Sequence, residues 1–438
     1  MFATKTNALG SFVSVSLCGF FSIIILSYLF RGILGSKIII YAALFFLIKL
    51  LIGYLHWEWL VHPNYFDNPD KFVFNKEYVW MYWNSDRVAS YRLENGYFSD
   101  VIFDYRLALD FNKGFVIFLL VSELFFWAGS FALNISVINL VFTFFTAFVV
   151  AHITFEYYQN KSKARFAFAL VVFQGMTLIP SIMMRDVIGQ GLIAFSVFLS
   201  YQFRNSFIKS LIILPVSCLF FFAQRLLYVI IPLIIYGYQL FFNKSYYKWP
   251  IRVLIIPIGI LIIPNVLLLF EFSDNVDHFT GGSKSYYSFI KNPVFFLTFP
   301  LQVIKGLIGV FPWFQFFDVY GDLNGKVYYP MEYMQSVMNI SIVYLLGILV
   351  YQKKIVFNSI MITGLLLTLY GFLSGDLHTG YISIGFIFFI PNILVFSRKK
   401  IFSVIAFVFF TFILVNTLYY LFGIQGMSPT EFFKSKNF

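Results

Sequence analysis

A chain of 438 residues that is 60% hydrophobic and only 12% charged lacks the polar surface a soluble domain of that size needs. Its net charge of +11 would point to nucleic acid in a soluble protein, but the basic residues are scattered through short turns between apolar runs, which excludes that partner and reads as membrane topology. Cys18 and Cys218 are its only cysteines, both within apolar runs, so neither a metal spacing nor a disulfide framework is present.

Apolar runs near twenty residues recur along the sequence, each able to cross a hydrocarbon core of about 30 Å as a helix. No ten-residue blocks of alternating hydrophobicity occur, which speaks against a membrane barrel. The fold class predicted is all-α: a polytopic transmembrane bundle of about twelve spans. The first, 9–30, has no small-residue cleavage site and reads as a retained span. Span 38–56 follows, then a long segment from His56 onward. It carries Asp67, Asp70, Glu77, Asp86, Glu94, Asp100, Asp104 and Asp110 and includes the apolar stretch Gly114–Leu133. Spans 134–155, 167–184, 187–203, 208–223, 226–243 and 253–270 come next. A second long segment, 271–330, contains the apolar stretch Pro293–Phe316, interrupted by Pro300, Gly306, Gly309 and Pro312. Spans 331–351, 356–374, 379–396 and 401–421 complete the chain.

Loop charge orients these spans. Fifteen basic residues fall in one alternating set of turns: Arg31, Lys37; Lys161, Lys163, Arg165; Arg204, Lys209; Lys244, Lys248, Arg252; Lys353, Lys354; Arg398, Lys399 and Lys400. Those turns are expected on the cytoplasmic side, and the segments 56–133 and 271–330 on the outer side. If both stretches Gly114–Leu133 and Pro293–Phe316 also crossed, giving fourteen spans, the basic turn at 161–165 would flip outward. They are therefore expected as interfacial or re-entrant helices on the outer face. The whole chain, 1–438, reads as one integral membrane domain, without internal repeats, low-complexity linkers or a separate soluble domain.

Few polar groups stand where chemistry needs them. Arg185-Asp186 lies between two spans, and Arg225 lies at a later outward turn. Such arginines either snorkel or pair locally, or they clamp a phosphate or pyrophosphate with parallel guanidinium bonds. Asp86 is either an ordinary loop carboxylate or a general base for a hydroxyl nucleophile. Tyr91, Arg92 and His378 are candidate substrate contacts on the same outer face. Asp100 and Asp104, spaced i, i+4, and Asp318 with Asp322 are weak metal candidates, and no metal site is assigned. Lys49 and Glu123, inside apolar runs, are expected to face the bundle interior or the interface. The five histidines have no metal-binding spacing, and no phosphate-cradling glycine loop or nucleophile elbow occurs.

Two patterns together carry a resemblance. An outer loop holds Asp86, Tyr91 and Gly96 in an Asp-x4-Tyr-x4-Gly pattern, and Asn112-Lys113-Gly114-Phe115 opens an apolar stretch. A span, a basic turn and a span ending in Pro180 and Arg185-Asp186 follow; the later Gly309-Val310-Phe311-Pro312-Trp313 is compatible. This order, over residues 75–230, resembles the N-terminal half of the GT-C superfamily of membrane glycosyltransferases. It is also similar to bacterial polysaccharide repeat-unit polymerases of the Wzy and EpsG kind. The resemblance implies GT-C-like outer loops carrying interfacial helices and an active site on the periplasmic face of the bacterial inner membrane. The substrate implied is an undecaprenyl-pyrophosphate-linked oligosaccharide, joined into O-antigen or capsular polysaccharide. Asp86 and Asp186 would be the catalytic acids, and Arg185 and Arg225 would hold the pyrophosphate. No cofactor is implied, and a chain-length regulator protein is an expected partner. A clear second acidic pair in the outer loops is lacking, which favours the polymerase over a GT-C enzyme adding one sugar from a polyprenyl-phosphate donor. The remaining alternatives are a flippase or transporter of lipid-linked sugars and a receptor or scaffold, the latter having no need of boundary arginines.

Overall fold

The computed structural model describes residues 5–58, 76–97, 115–129, 131, 133–178, 185–202, 303, 307, 323–355, 358–373 and 384–421. The described elements are all helical: α1 Lys5–Leu29, α2 Arg31–Leu34, α3 Lys37–His56, α4 Lys76–Asn95, α5 Phe115–Ala128, α6 Asn134–Tyr158, α7 Lys161–Val172, a 3-10 turn Gly175–Thr177, α8 Arg185–Gln202, α9 Leu323–Tyr351, α10 Ser359–Leu373, a 3-10 turn Ile387–Phe389 running into α11 Ile390–Ile393, and α12 Arg398–Leu421. Among the described residues, five stretches are long and apolar enough to cross a membrane: Gly10–Leu29, Lys37–His56, Asn134–Tyr158, Tyr333–Tyr351 and Arg398–Leu418. They fall on the expected spans 9–30, 38–56, 134–155, 331–351 and 401–421. Shorter apolar helices, Val187–Leu199 and Ile384–Ile393, lie within the expected spans 187–203 and 379–396. The expected spans 208–223, 226–243 and 253–270 lie outside the described residues.

Helix α6 is the hub. It is the most buried of the five long helices, while α12 is the most exposed. Aromatic and small residues set the packing directions. Asn134 Nδ2 donates to Ser11 Oγ (2.8 Å), and at the other end the Phe30 ring stacks on Phe148, so α1 and α6 run parallel. Phe12 stacks on Tyr54, making α3 antiparallel to α1. Gly191 abuts Phe142 while Phe198 meets His152, so α8 runs parallel to α6. Tyr333 packs on Phe412, and Leu345 lies with Ile401 and Ile405 around a small apolar cavity, making α12 antiparallel to α9.

These directions collect the basic residues at one end. The Lys161 stem lies against Gly35, and Arg398 Nη2 donates to the Ser162 carbonyl (2.7 Å). The first turns of α3, α7 and α12, with α2 and the end of α9, thus share one end of the bundle. The Asn160 side chain caps α7 there, accepting from the amides of Ser162 and Lys163. The opposite end carries α4, α5 and the starts of α6 and α8.

Two expectations about elements are corrected. Stretch 167–184 is not one helix: α7 begins earlier, stops at Val172, and gives way to an extended residue, Gln174, and the 3-10 turn. A glycine follows the break. A Cβ at residue 175 would collide with the backbone of Gln335, so α9 can approach only because residue 175 has none. In the long segment after His56, a twenty-residue helix, α4, stands where only loop was expected. The apolar stretch 114–133 contains α5, fourteen residues, which at about 21 Å is shorter than a hydrocarbon core of about 30 Å. The stretch 293–316 lies outside the described residues apart from Val303 and Leu307.

Candidate functional site

Helix α4 packs on α5 along one stripe. Ser85, Val88, Ala89 and Arg92, spaced i, i+3, i+4, i+7, are buried, as are Val121, Ser122 and Phe125 of α5. Arg92 is only 2% exposed, and its guanidinium pairs with Glu123 of α5. Gly96, at φ +94°, ends α4 and turns the chain so that Tyr97 Oη donates to the second Glu123 oxygen (3.0 Å). The Arg92 guanidinium also lies over the Tyr97 ring, 5.1 Å from its centroid. The Glu123 hydrogen bond, followed by burial, pushes the Tyr97 phenol above its ordinary value. Glu123 is therefore a clasp between the two helices, and Arg92 is committed to it.

On the same helix Asp86 is half-buried at the edge of the packed stripe, and Tyr91 is 44% exposed. Arg185 and Asp186 are the first two residues of α8. Because α8 runs parallel to α6, its start lies at the α4–α5 end, and α5 touches both α4 and α8. The structure thus brings the helix bearing Asp86, Tyr91 and Arg92 and the first turn bearing Arg185 and Asp186 to one end of the bundle, opposite the basic turns of α2, α7 and α12. Arg225 and His378 lie outside the described residues. Among the described residues, no three His, Cys, Asp or Glu side chains converge as metal ligands.

Beneath this end lies a polar knot around Lys49, which was expected to face the bundle interior or the interface and is buried in the interior. Lys49 of α3 is fully buried, and its ammonium donates to the carbonyls of Val172 (2.5 Å) and Thr177 and to Thr177 Oγ1 (3.2 Å). These acceptors are the ones exposed where α7 breaks. In a bilayer no water can satisfy them, so the lysine takes that part. Gln174 Nε2 donates to Gln190 Oε1 of α8 (2.7 Å), and Gln335 Nε2 donates to Asn339 Oδ1 on α9 (2.8 Å). The break joins α3, α7, α8 and α9 at one level, five residues along α8 from Arg185. The signal in the sequence was Gln174-Gly175 within an apolar run; the partners of Lys49 had none.

The chain matches no family model, no curated protein and no solved structure.

Proposed function

We propose that the chain is a multi-pass membrane glycosyltransferase of the repeat-unit polymerase kind, joining undecaprenyl-pyrophosphate-linked oligosaccharides into O-antigen or capsular polysaccharide. In this reading about twelve spans cross the bacterial inner membrane. The basic end faces the cytoplasm, as positive-inside bias requires, and the α4–α5–α8 end faces the periplasm. One observation supports it above the others: Asp86 and the Arg185-Asp186 pair, far apart in sequence, belong to helices gathered through α5 at the end opposite the basic residues.

The chemistry divides accordingly. Glycosyl transfer from a pyrophosphate develops negative charge on the leaving group, which Arg185 and Arg225 stabilise as fixed cations in a site partly closed to water. Asp86 accepts the proton of the attacking sugar hydroxyl, and Asp186 is the second acid. The Tyr91 ring offers an apolar face to a sugar. The polyprenyl tail lies along lipid-exposed helix faces, and a chain-length regulator would act on this same end. No cofactor is required.

The break in α7 favours a second reading. Discontinuous helices with an ionisable group at depth are a transporter feature, so a flippase of lipid-linked sugars is the competing function. Product length separates them, and separates both from a GT-C enzyme adding one sugar. The protein is depleted in its native host and restored as wild type or as Arg185→Ala, and surface glycolipids are run on a gel. A ladder with wild type and a single repeat unit with the variant supports polymerisation. A persistent ladder with one band short by a single sugar supports the single-sugar transferase. Lipid-linked units accumulating on the cytoplasmic side support the flippase.

A further inference from the structure

We infer that the basic end of the bundle binds the phosphodiester headgroup of an anionic phospholipid at the seam where α7 meets α2 and α12. Topology asks only that cations lie on this side of the membrane. It does not ask that they converge, yet here they do. Arg31 on α2, Lys161 and Lys163 on α7, and Arg398, Lys399 and Lys400 on α12 lie along two adjoining joins, α2 with α7 where the Lys161 stem passes beside Gly35, and α7 with α12 through the Arg398–Ser162 bond. The acid nearest in sequence, Glu156, is engaged by His152 Nε2 (3.1 Å).

Three of the cations lie over aromatic rings. Arg31 lies over Tyr28 (3.8 Å to the centroid), Lys163 over Tyr158 (3.8 Å) and Lys400 over Phe396 (4.4 Å). The first turns of α7 and α12 contain no acid, although acids are the usual complement of helix starts. Repulsion among these cations is relieved by a counter-anion delivered from the bilayer. Lipid is at hand: α12 is the most exposed of the long helices, and Phe402, one turn below Lys399, is 56% exposed. A phosphodiester among the cations would leave its acyl chains along that face. The inference concerns the end opposite the proposed catalytic site and does not depend on it.

The test uses the purified full-length chain in a neutral detergent. Its thermal unfolding is followed with added phosphatidylglycerol, phosphatidylcholine or inorganic phosphate. Phosphatidylglycerol is expected to raise the midpoint by about 2–4 °C or more, while the other two leave it unmoved. The variant Lys161→Gln/Lys399→Gln/Lys400→Gln is expected to lose that rise. An equal rise with phosphatidylcholine, or an undiminished rise in the variant, overturns the inference. So does an equal rise with inorganic phosphate, which would make the occupant a free anion. If the variant does not fold, wild type in about 1 M salt, where screening acts within about 3 Å, replaces it. Loss of the phosphatidylglycerol rise there upholds the inference, and persistence overturns it.

Discussion

Glu123 and Arg92 share one ion pair but not its consequences. Arg92 is almost wholly buried, whereas the Glu123 side chain is 33% exposed and has a second partner in Tyr97. Removing the acid strands a buried guanidinium whose Nε already lacks a partner among the described residues. Removing the base leaves a carboxylate that water can reach. Glu123→Leu is therefore expected to destabilise by about 3 kcal/mol and Arg92→Leu by about 1 kcal/mol, read from denaturant unfolding in detergent. Equal losses would mean that burial does not set the asymmetry. The Tyr97 phenol is raised in the folded state above its ordinary value of 10.0. Its contribution is thus fully present below about pH 10 and fades as pH rises through the higher folded value. Midpoints of wild type and Tyr97→Phe should diverge at neutral pH and converge in alkali; a constant gap refutes the assignment. Lys49→Met leaves the Thr177 carbonyl without its donor, while Thr177 Oγ1, 3.1 Å from the Val172 carbonyl, can still serve that one. The expected cost is about 1–3 kcal/mol by thermal unfolding.

At the scale of helices, α9 offers a paired comparison. Gly175→Ala forces a methyl into the Gln335 backbone, which cannot yield as a side chain does, and should cost at least about 2–3 kcal/mol. Gly347→Ala, on α9 itself, meets nothing within 4 Å and should be neutral or stabilising by up to about 1 kcal/mol. Similar midpoints for the two would show that the 3-10 turn and α9 do not approach at residue 175. The same contact explains what the sequence could and could not disclose. Runs such as 9–30 and 38–56 are legible because apolar length alone decides a lipid-facing helix. The break at 173–177 is not, because it depends on α9, more than a hundred residues later, and on a lysine from α3. Helix α4 is hidden for a related reason: its buried stripe contains Ser85 and Arg92, which read as polar until α5 supplies Glu123.

For the whole molecule, the segregation of charge is a statement about sidedness that labelling can check. In a cysteine-free background, Ser90→Cys on the exposed side of α4 should react with an impermeant maleimide in intact spheroplasts, and Lys399→Cys only after permeabilisation. The reverse pattern would place the α4–α5–α8 end inside and end the periplasmic assignment. The grouping of basic turns was readable from sequence, since charge counting needs no contacts. That α5 touches both α4 and α8 was not, because those contacts join segments far apart in the chain. Lys49 also bears on how the chain is made. It leaves the ribosome with α3, while its acceptors Val172 and Thr177 follow more than a hundred residues later. In that interval a lysine some 18 Å along a membrane helix from Lys37 has no permanent partner, at an insertion cost of about 2.5–3.5 kcal/mol near the bilayer centre. Helix α3 is thus synthesised with its lysine before the acceptors that bury it exist, and the contacts of Lys49 are complete only once residues 172–177 have joined α3.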